Sequence, residues 1–299
     1  MKNSWPTLSY EKGKDTYATL HMCTQIVGKI KLALVPWQNH SWHITLHIVP
    51  IGLTTQTIPY EGRHFQIDFN FIKHQLQISI STGEQRSFSL QHISVADFYR
   101  LLFAQLDELN IHVQIKPIPV ELPDPMPFQQ DTQHATYDVE QVVAFHQALL
   151  CIQDVFMKFR TGFKGKSSPI HFFWGSFDLA YSRFCGRRAP KHPGGIPHMP
   201  DSVAQEAYSH EVASSGFWTG NDMLPSPSFY AYIYPEPEGY KDAVIQPKEA
   251  YYHKDMREFI LPYDAVQQSA DPEATLLSFL NSTYISCTSL AEWDRSALE

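Results

Sequence analysis

The stretch HFQIDFNF, residues 64–71, alternates without a break, with Phe65, Ile67, Phe69 and Phe71 on one side and His64, Gln66, Asp68 and Asn70 on the other. A period of two demands a strand with one buried face and one wet face. Strands of that kind belong to antiparallel sheets, because parallel sheets are covered on both faces and read as unbroken apolar runs. WHITLHIV repeats the pattern with Trp42, Ile44, Leu46 and Ile48, and QLQISIS and RSFSL follow. Four antiparallel strands are expected in the first third of the chain.

Helices flank them. Leu20, Cys23, Val27, Ile30 and Leu34 recur at helical spacing over residues 16–35, and Pro36 ends the run. Ser94 with Asp97 three residues on reads as a capping box, with Ile93 placed to staple against Phe98. The proline-dense KPIPVELPDPMPF, residues 116–128, reads as an extended connector. Beyond it, Asp138 and Gln141 open a long amphipathic helix. SPIHFFWGSFDLA reads as one buried strand, and SFYAYIYP and REFILPY read as two more. Asp271-Pro272 supplies an N-cap with proline at the first helical position.

Both halves thus follow the order helix, strands, helix, which suggests an internal duplication. The expected fold is α+β: two pseudo-repeated helix–antiparallel-sheet–helix halves packed into one compact body. Residues 1–115 form the first half, 116–136 the connector, and 137–299 the second half with an inserted loop at 182–228.

Charge and cysteine use narrow the function. A net charge of −8 offers no basic face for nucleic acid. MKNSWPTLSYEKGKDTY has no apolar run suited to an export signal, and no later segment reads as a membrane span, so no membrane partner is expected. Cys23, Cys151, Cys185 and Cys287 have no CxxC or zinc spacing and suit free thiols in a reducing cytoplasm. Cys185 lies among arginines that could lower its pKa.

The chemistry concentrates in the insertion. Its start, HFFWGSFDLAYSRFCGRRAPKHPGG, carries Asp178, Arg183, Arg187, Arg188 and His192 within a few turns of chain. Three guanidinium groups near glycine turns suit bidentate capture of a carboxylate or phosphate. The alternative is a buried ion-pair network with Asp178, Glu206 or Glu211. DSVAQEAYSHEV reads as a short helix capped by Asp201, with Glu206 and His210 on one face. That pair suits an acid–base couple or, with His192, a divalent metal site, although HExxH is absent. Trp174, Tyr208 and Trp218 supply aromatic walls, as do Phe217, Tyr230, Tyr232 and Tyr234. No GxGxxG, Walker or GxSxG motif is present, so no nucleotide cofactor is expected.

WPTLSYEKGKDTYATLHMCTQIVGKIKLAL, SPIHFFWGSFDLAYSRFCGRRAPKHPGG, EAYSHEVASSGFW and FYAYIYPEPEGY together resemble the bacterial proteins grouped as domain of unknown function 5996. The resemblance runs from Trp5 to the terminal WDRSALE. It implies a shared fold and brings no activity with it. It also implies a pattern that includes His171, Asp178, Arg183, Arg187, Arg188, His192, Glu206, Tyr208, His210 and Glu211, with His198 outside it. TGNDML after Trp218 departs from the glycine-richer loop that the resemblance implies.

Two classes of function follow. One is an enzyme acting on a small polar or anionic molecule. In it Arg187 and Arg188 clamp the anion, His210 is general base or metal ligand, and Asp178 or Glu211 orients it. The other is a non-catalytic ligand-binding or interaction protein that uses the same pocket. Either way Asp178 should meet one of the arginines, and the helix DSVAQEAYSHEV should fold back to bring His210 beside them.

Overall fold

The computed structural model describes residues 5–299; residues 1–4, part of the stretch read for an export signal, lie outside it. Helix α1 (Tyr10–Leu34) opens with the Ser9 side chain accepting from Lys12 N. It starts six residues before the apolar periodicity does, because its first turns are charged and say nothing about burial. Pro36 prevents continuation, and almost every side chain from Thr16 to Lys31 is buried.

The first sheet contains β1 (His47–Val49), β2 (Gly52–Thr54), β3 (Ile58–Tyr60), β4 (Arg63–Asn70), β5 (Gln75–Ile80) and β6 (Gln85–Ser89). All pairings are antiparallel, in the order β1-β2-β4-β5-β6 with β3 also on β4. Phe65, Ile67, Phe69 and Phe71 are buried as the alternation requires.

One expected strand is not there in full. Asn39–Ile44 is a 3-10 turn in which His40 and Ser41 hold φ of 58° and 57°. Two carbonyls that a longer strand would offer to a neighbour are taken by side chains: Trp174 Nε1 donates to Ile44 O at 2.8 Å, and Lys31 Nζ donates to Thr45 O at 2.5 Å. Backbone groups satisfied that way do not need a ladder.

Helix α2 (Val95–Glu108) has the full Ser94/Asp97 capping box, and α3 (Val139–Arg160) is capped by Asp138. By length and composition α3 could cross a membrane, contrary to the sequence reading, but over half of its most apolar window is buried within the fold.

The second sheet has β7 (His171–Phe173), β8 (Asp178–Arg188), β9 (His210–Trp218), β10 (Ser228–Tyr234), β11 (Tyr251–His253) and β12 (Glu258–Pro262). Helix α4 (Asp201–Ala207) precedes β9, while α5 (Tyr263–Gln267), α6 (Pro272–Leu290) and α7 (Arg295–Leu298) close the chain. The strand order is β11-β12-β10-β9-β8-β7, all antiparallel.

The single buried strand expected in SPIHFFWGSFDLA is therefore a hairpin, with β7 at the sheet edge and a turn through Phe177 at φ 57°. The inserted loop is partly sheet, since it includes most of β8 and all of β9. Both halves keep the order helix, antiparallel sheet, helix, but their strand orders differ and do not establish a duplication. The sheets meet edge to edge where Leu46 and Phe172 exchange two backbone hydrogen bonds of 2.8 Å.

Candidate functional site

Strand β8 has two faces. Leu179, Tyr181 and Arg183 point toward α3 and α6, whereas Asp178, Ala180, Ser182 and Phe184 line a cavity on the opposite side. The cavity has an outer cleft of about 600 Å3 and an inner chamber of about 300 Å3. Glu121, Asp178, Tyr208, Tyr230 and Tyr232 border both.

The outer cleft runs between the N-terminal turns of α1, which supply Tyr10, Lys14 and His21, and the second sheet. Its polar centre is Asp178. Tyr230 donates its phenol hydrogen to Asp178 Oδ2, although β9 lies between their strands. The residue opposite Tyr230 on β9 is Gly216, where an added Cβ would stand 2.3 Å from the phenol ring and oxygen. Glycine at that position lets the ring cross the intervening strand.

A second carboxylate arrives from the proline-dense connector. Glu121, at φ 62°, accepts from Ser176 Oγ at 2.6 Å and lies so close to Gly175 that a Cβ there would be 2.0 Å from its Oε1. The third, Glu258, opens β12 and lines the same cleft. Among the described residues, Lys14 is the one Lys or Arg on the outer cleft, and it is paired with Glu11 at 2.9 Å.

Burial dominates the electrostatics. It raises the Asp178 carboxyl to about 7, with the Tyr230 hydrogen bond opposing and the Glu121 charge adding. Burial also raises Glu258 to about 8, reinforced by the Asp178 charge. Glu121 is raised by burial too, against its Ser176 hydrogen bond. Burial pushes His21 down to about 4, so it is neutral at pH 7, with Nε2 2.7 Å from Gly175 O. Tyr208 and Tyr232 join hydroxyls at 2.9 Å, and Tyr10 closes the rim by donating to Asp222 at 2.9 Å.

The residues singled out in the sequence separate into two groups. Asp178, Trp174, Tyr208 and Trp218 do line the cavity. The arginines do not converge on it, and none is hydrogen-bonded or ion-paired to Asp178. Arg183 is buried on the other face, bonded to Phe159 O, with its guanidinium 3.7 Å from the Phe159 ring centre. Arg187 pairs with Glu211 at 2.7 Å, and Trp293 Nε1 donates to the same carboxylate at 3.0 Å. Arg188 is exposed, opposite His210 in the β8–β9 register beyond an irregularity that includes Gly186 at φ 91°. The strand changes course there, so spacing along the sequence did not predict a cluster in space.

The metal reading fails on geometry. Helix α4 ends at Ala207, leaving His210 on a strand and off the Glu206 face, and Asp201 is the first helical residue, not the cap. Glu206 accepts from His40 N at 3.2 Å, His192 stacks on Tyr208 at 4.7 Å, and His210 Nδ1 meets Ser209 Oγ at 3.1 Å. No group of three or more His, Cys, Asp or Glu among the described residues is placed to hold a metal ion. Cys185 is half-buried and burial raises its thiol pKa, the reverse of activation.

Sequence reasoning missed Glu121, Glu258 and His21. Glu258 left a faint trace as an acid beginning an otherwise apolar strand, and Tyr230 and Tyr232 left a clearer one in their alternation. Glu121 left none, because only tertiary folding brings the connector over Gly175.

These features define a class: an α+β protein whose second antiparallel sheet carries a carboxylate and tyrosine cleft on one face. The chain belongs to the Family of unknown function (DUF5996), whose model matches residues 5–299. No curated protein and no solved structure matches it.

Proposed function

We propose that the protein is an acid–base enzyme acting on a small polar molecule, uncharged or cationic, held in the cleft around Asp178, Glu121 and Glu258. The observation that carries this reading is the convergence of three carboxyl groups, the buried Asp178 with the half-buried Glu121 and Glu258, on one open cleft without a partnering Lys or Arg among the described residues. Three such groups cannot all ionise cheaply, so near neutral pH the set holds both a carboxylic acid and a carboxylate. Those are the two forms that general acid and general base catalysis need. Tyr230 fixes the orientation of Asp178, and Tyr208, Tyr232 and Trp218 supply aromatic wall.

The acidic lining disfavours an anionic ligand, so the anionic half of the sequence expectation is replaced. Four free cysteines suit a reducing compartment, and we place the protein in the cytoplasm.

The test is a thermal-shift screen of sugars, polyols, amines and small carboxylates at pH 6 and 8, followed by turnover assays on whatever binds. Neutral or cationic compounds should stabilise the protein, and Asp178→Asn and Glu258→Gln should abolish turnover. Stabilisation confined to anions would overturn the reading. Binding without turnover by any hit would leave a non-catalytic ligand-binding protein.

A further inference from the structure

The inner chamber has a different character from the cleft. Trp42, Trp174, Ala180, Phe184, Met199 and Val212 form its walls, drawn from the 3-10 turn, the β7–β8 turn, β8, β9 and the loop before α4. Its surface is mostly apolar, and it adjoins the carboxylate cleft at the shared border of Glu121, Asp178, Tyr208, Tyr230 and Tyr232. Lys29 is the one Lys or Arg on its wall among the described residues, with its Nζ 5.6 Å from the centre of the Trp174 ring. An added Cβ on Gly28 would stand 2.2 Å from the Trp174 indole, so glycine there allows that ring to pack against α1.

A concave, mostly apolar pocket of this size with a few polar groups at its border is the usual form of a small-molecule site. An apolar chamber that ends on an acidic, water-open cleft fits a molecule with one apolar end and one polar end. We propose that the ligand is amphiphilic, its polar head among Asp178, Glu121 and Glu258 and its unbranched apolar tail in the chamber behind Tyr230 and Tyr232. This rests on the proposed cleft chemistry only for the head; the tail site stands on the chamber itself. A chamber of about 300 Å3 takes roughly ten methylenes, at on the order of 30 Å3 for each, the share of a water in the liquid.

The experiment is calorimetric titration of the full chain with n-alkylamines from butyl to dodecyl, kept below micelle formation. Affinity should rise about fourfold per added methylene and level off near ten carbons. Val212→Trp, which fills the chamber, should flatten that slope, so that long amines lose far more affinity than butylamine does; Ala180→Leu is the second filling variant should the first fail to fold. Asp178→Asn with Glu258→Gln should weaken every amine by a similar factor and keep the slope.

A slope that is absent, or that survives both filling variants, overturns the tail site. A slope that behaves as expected, with affinities indifferent to the carboxyl substitutions, keeps the tail site and overturns the cleft reading instead.

Discussion

Asp178 and Arg183 stand five residues apart on one strand, both nearly buried at 8% and 5% exposure, and an odd spacing sends them to opposite faces of the sheet. The fold treats the two charges differently because their chemistry differs. A guanidinium cannot give up its proton in a protein, so Arg183 is boxed by the rings of Phe159, Tyr284 and Phe163 at 3.7, 4.4 and 4.9 Å and bonded to Phe159 O. A carboxyl group can take up a proton, so Asp178 is left facing a cavity beside two other acids. One charge holds the core together, and the other is available to a ligand.

Removing the boxed charge should have the largest effect. Arg183→Ala leaves an unfilled aromatic box and an unpaired carbonyl, and should cost about 3–5 kcal/mol in equilibrium urea unfolding. Arg183→Met, which keeps most of the volume, should recover part of it. Ligand binding in the cleft should change little at temperatures where the variant stays folded. A loss of cleft binding larger than the loss of stability would show that the two faces are not independent.

Neutralising the cleft charge should act in the opposite direction. The Asp178 carboxyl titrates near 3.8 when unfolded and about 7 when folded. Folding therefore carries no penalty below the unfolded value, loses stability as pH rises from about 4 to 7, and levels off above that. Asp178→Asn removes the penalty, so at pH 9 it should be more stable than the parent by on the order of 2–4 kcal/mol, and at pH 4 nearly equal. Catalysis should be lost while stability is gained. A variant less stable than the parent at pH 9 would mean that the fold stabilises the ionised Asp178 and that burial does not raise its pKa.

Tyr230→Phe should be smaller again, at about 1–2 kcal/mol, since it removes one hydrogen bond to a buried group. That bond lowers the Asp178 pKa, so its loss should move the carboxyl titration upward, which carboxyl carbon NMR can follow. A titration that stays in place or falls would put the hydrogen bond on the protonated form.

How far the sequence discloses this arrangement depends on the range of the forces involved. Local rules carried well for the Ser94/Asp97 capping box and the Asp138 and Asp271 caps, whereas β4 buries its apolar face as expected but also buries Asp68 and Asn70 on the face expected to be wet. Asp178, Trp174 and Trp218 were legible as charged or aromatic residues at or next to strand ends, and Tyr208 as an aromatic residue just past α4. The arginines misled because proximity along the chain was taken for proximity in space, and β8 alternates and then kinks between Phe184 and Arg188. Glu121 was out of reach: its role depends on a connector crossing a hairpin turn fifty residues later, and no local pattern encodes that.

The smallest expected effect returns to Arg187 and Glu211, the pair that the sequence offers as part of a ligand site. Arg187 is half-exposed, so its 2.7 Å pair with Glu211 is screened by water, and exposed pairs contribute about 0.2–1 kcal/mol. Its guanidinium also reaches the carbonyls of Ala291 and Glu292 just past α6, and Trp293 donates to Glu211. These contacts tie the end of β8 to the C-terminal segment, which is work for a fastener. A double-mutant cycle of Arg187→Ala and Glu211→Gln should give a coupling of at most about 1 kcal/mol, with ligand binding in the cleft unchanged. If phosphate or sulfate instead stabilises the parent protein and the gain vanishes in Arg187→Ala, then an anion competes for this guanidinium, and the second face of the sheet is not the protein's only binding surface.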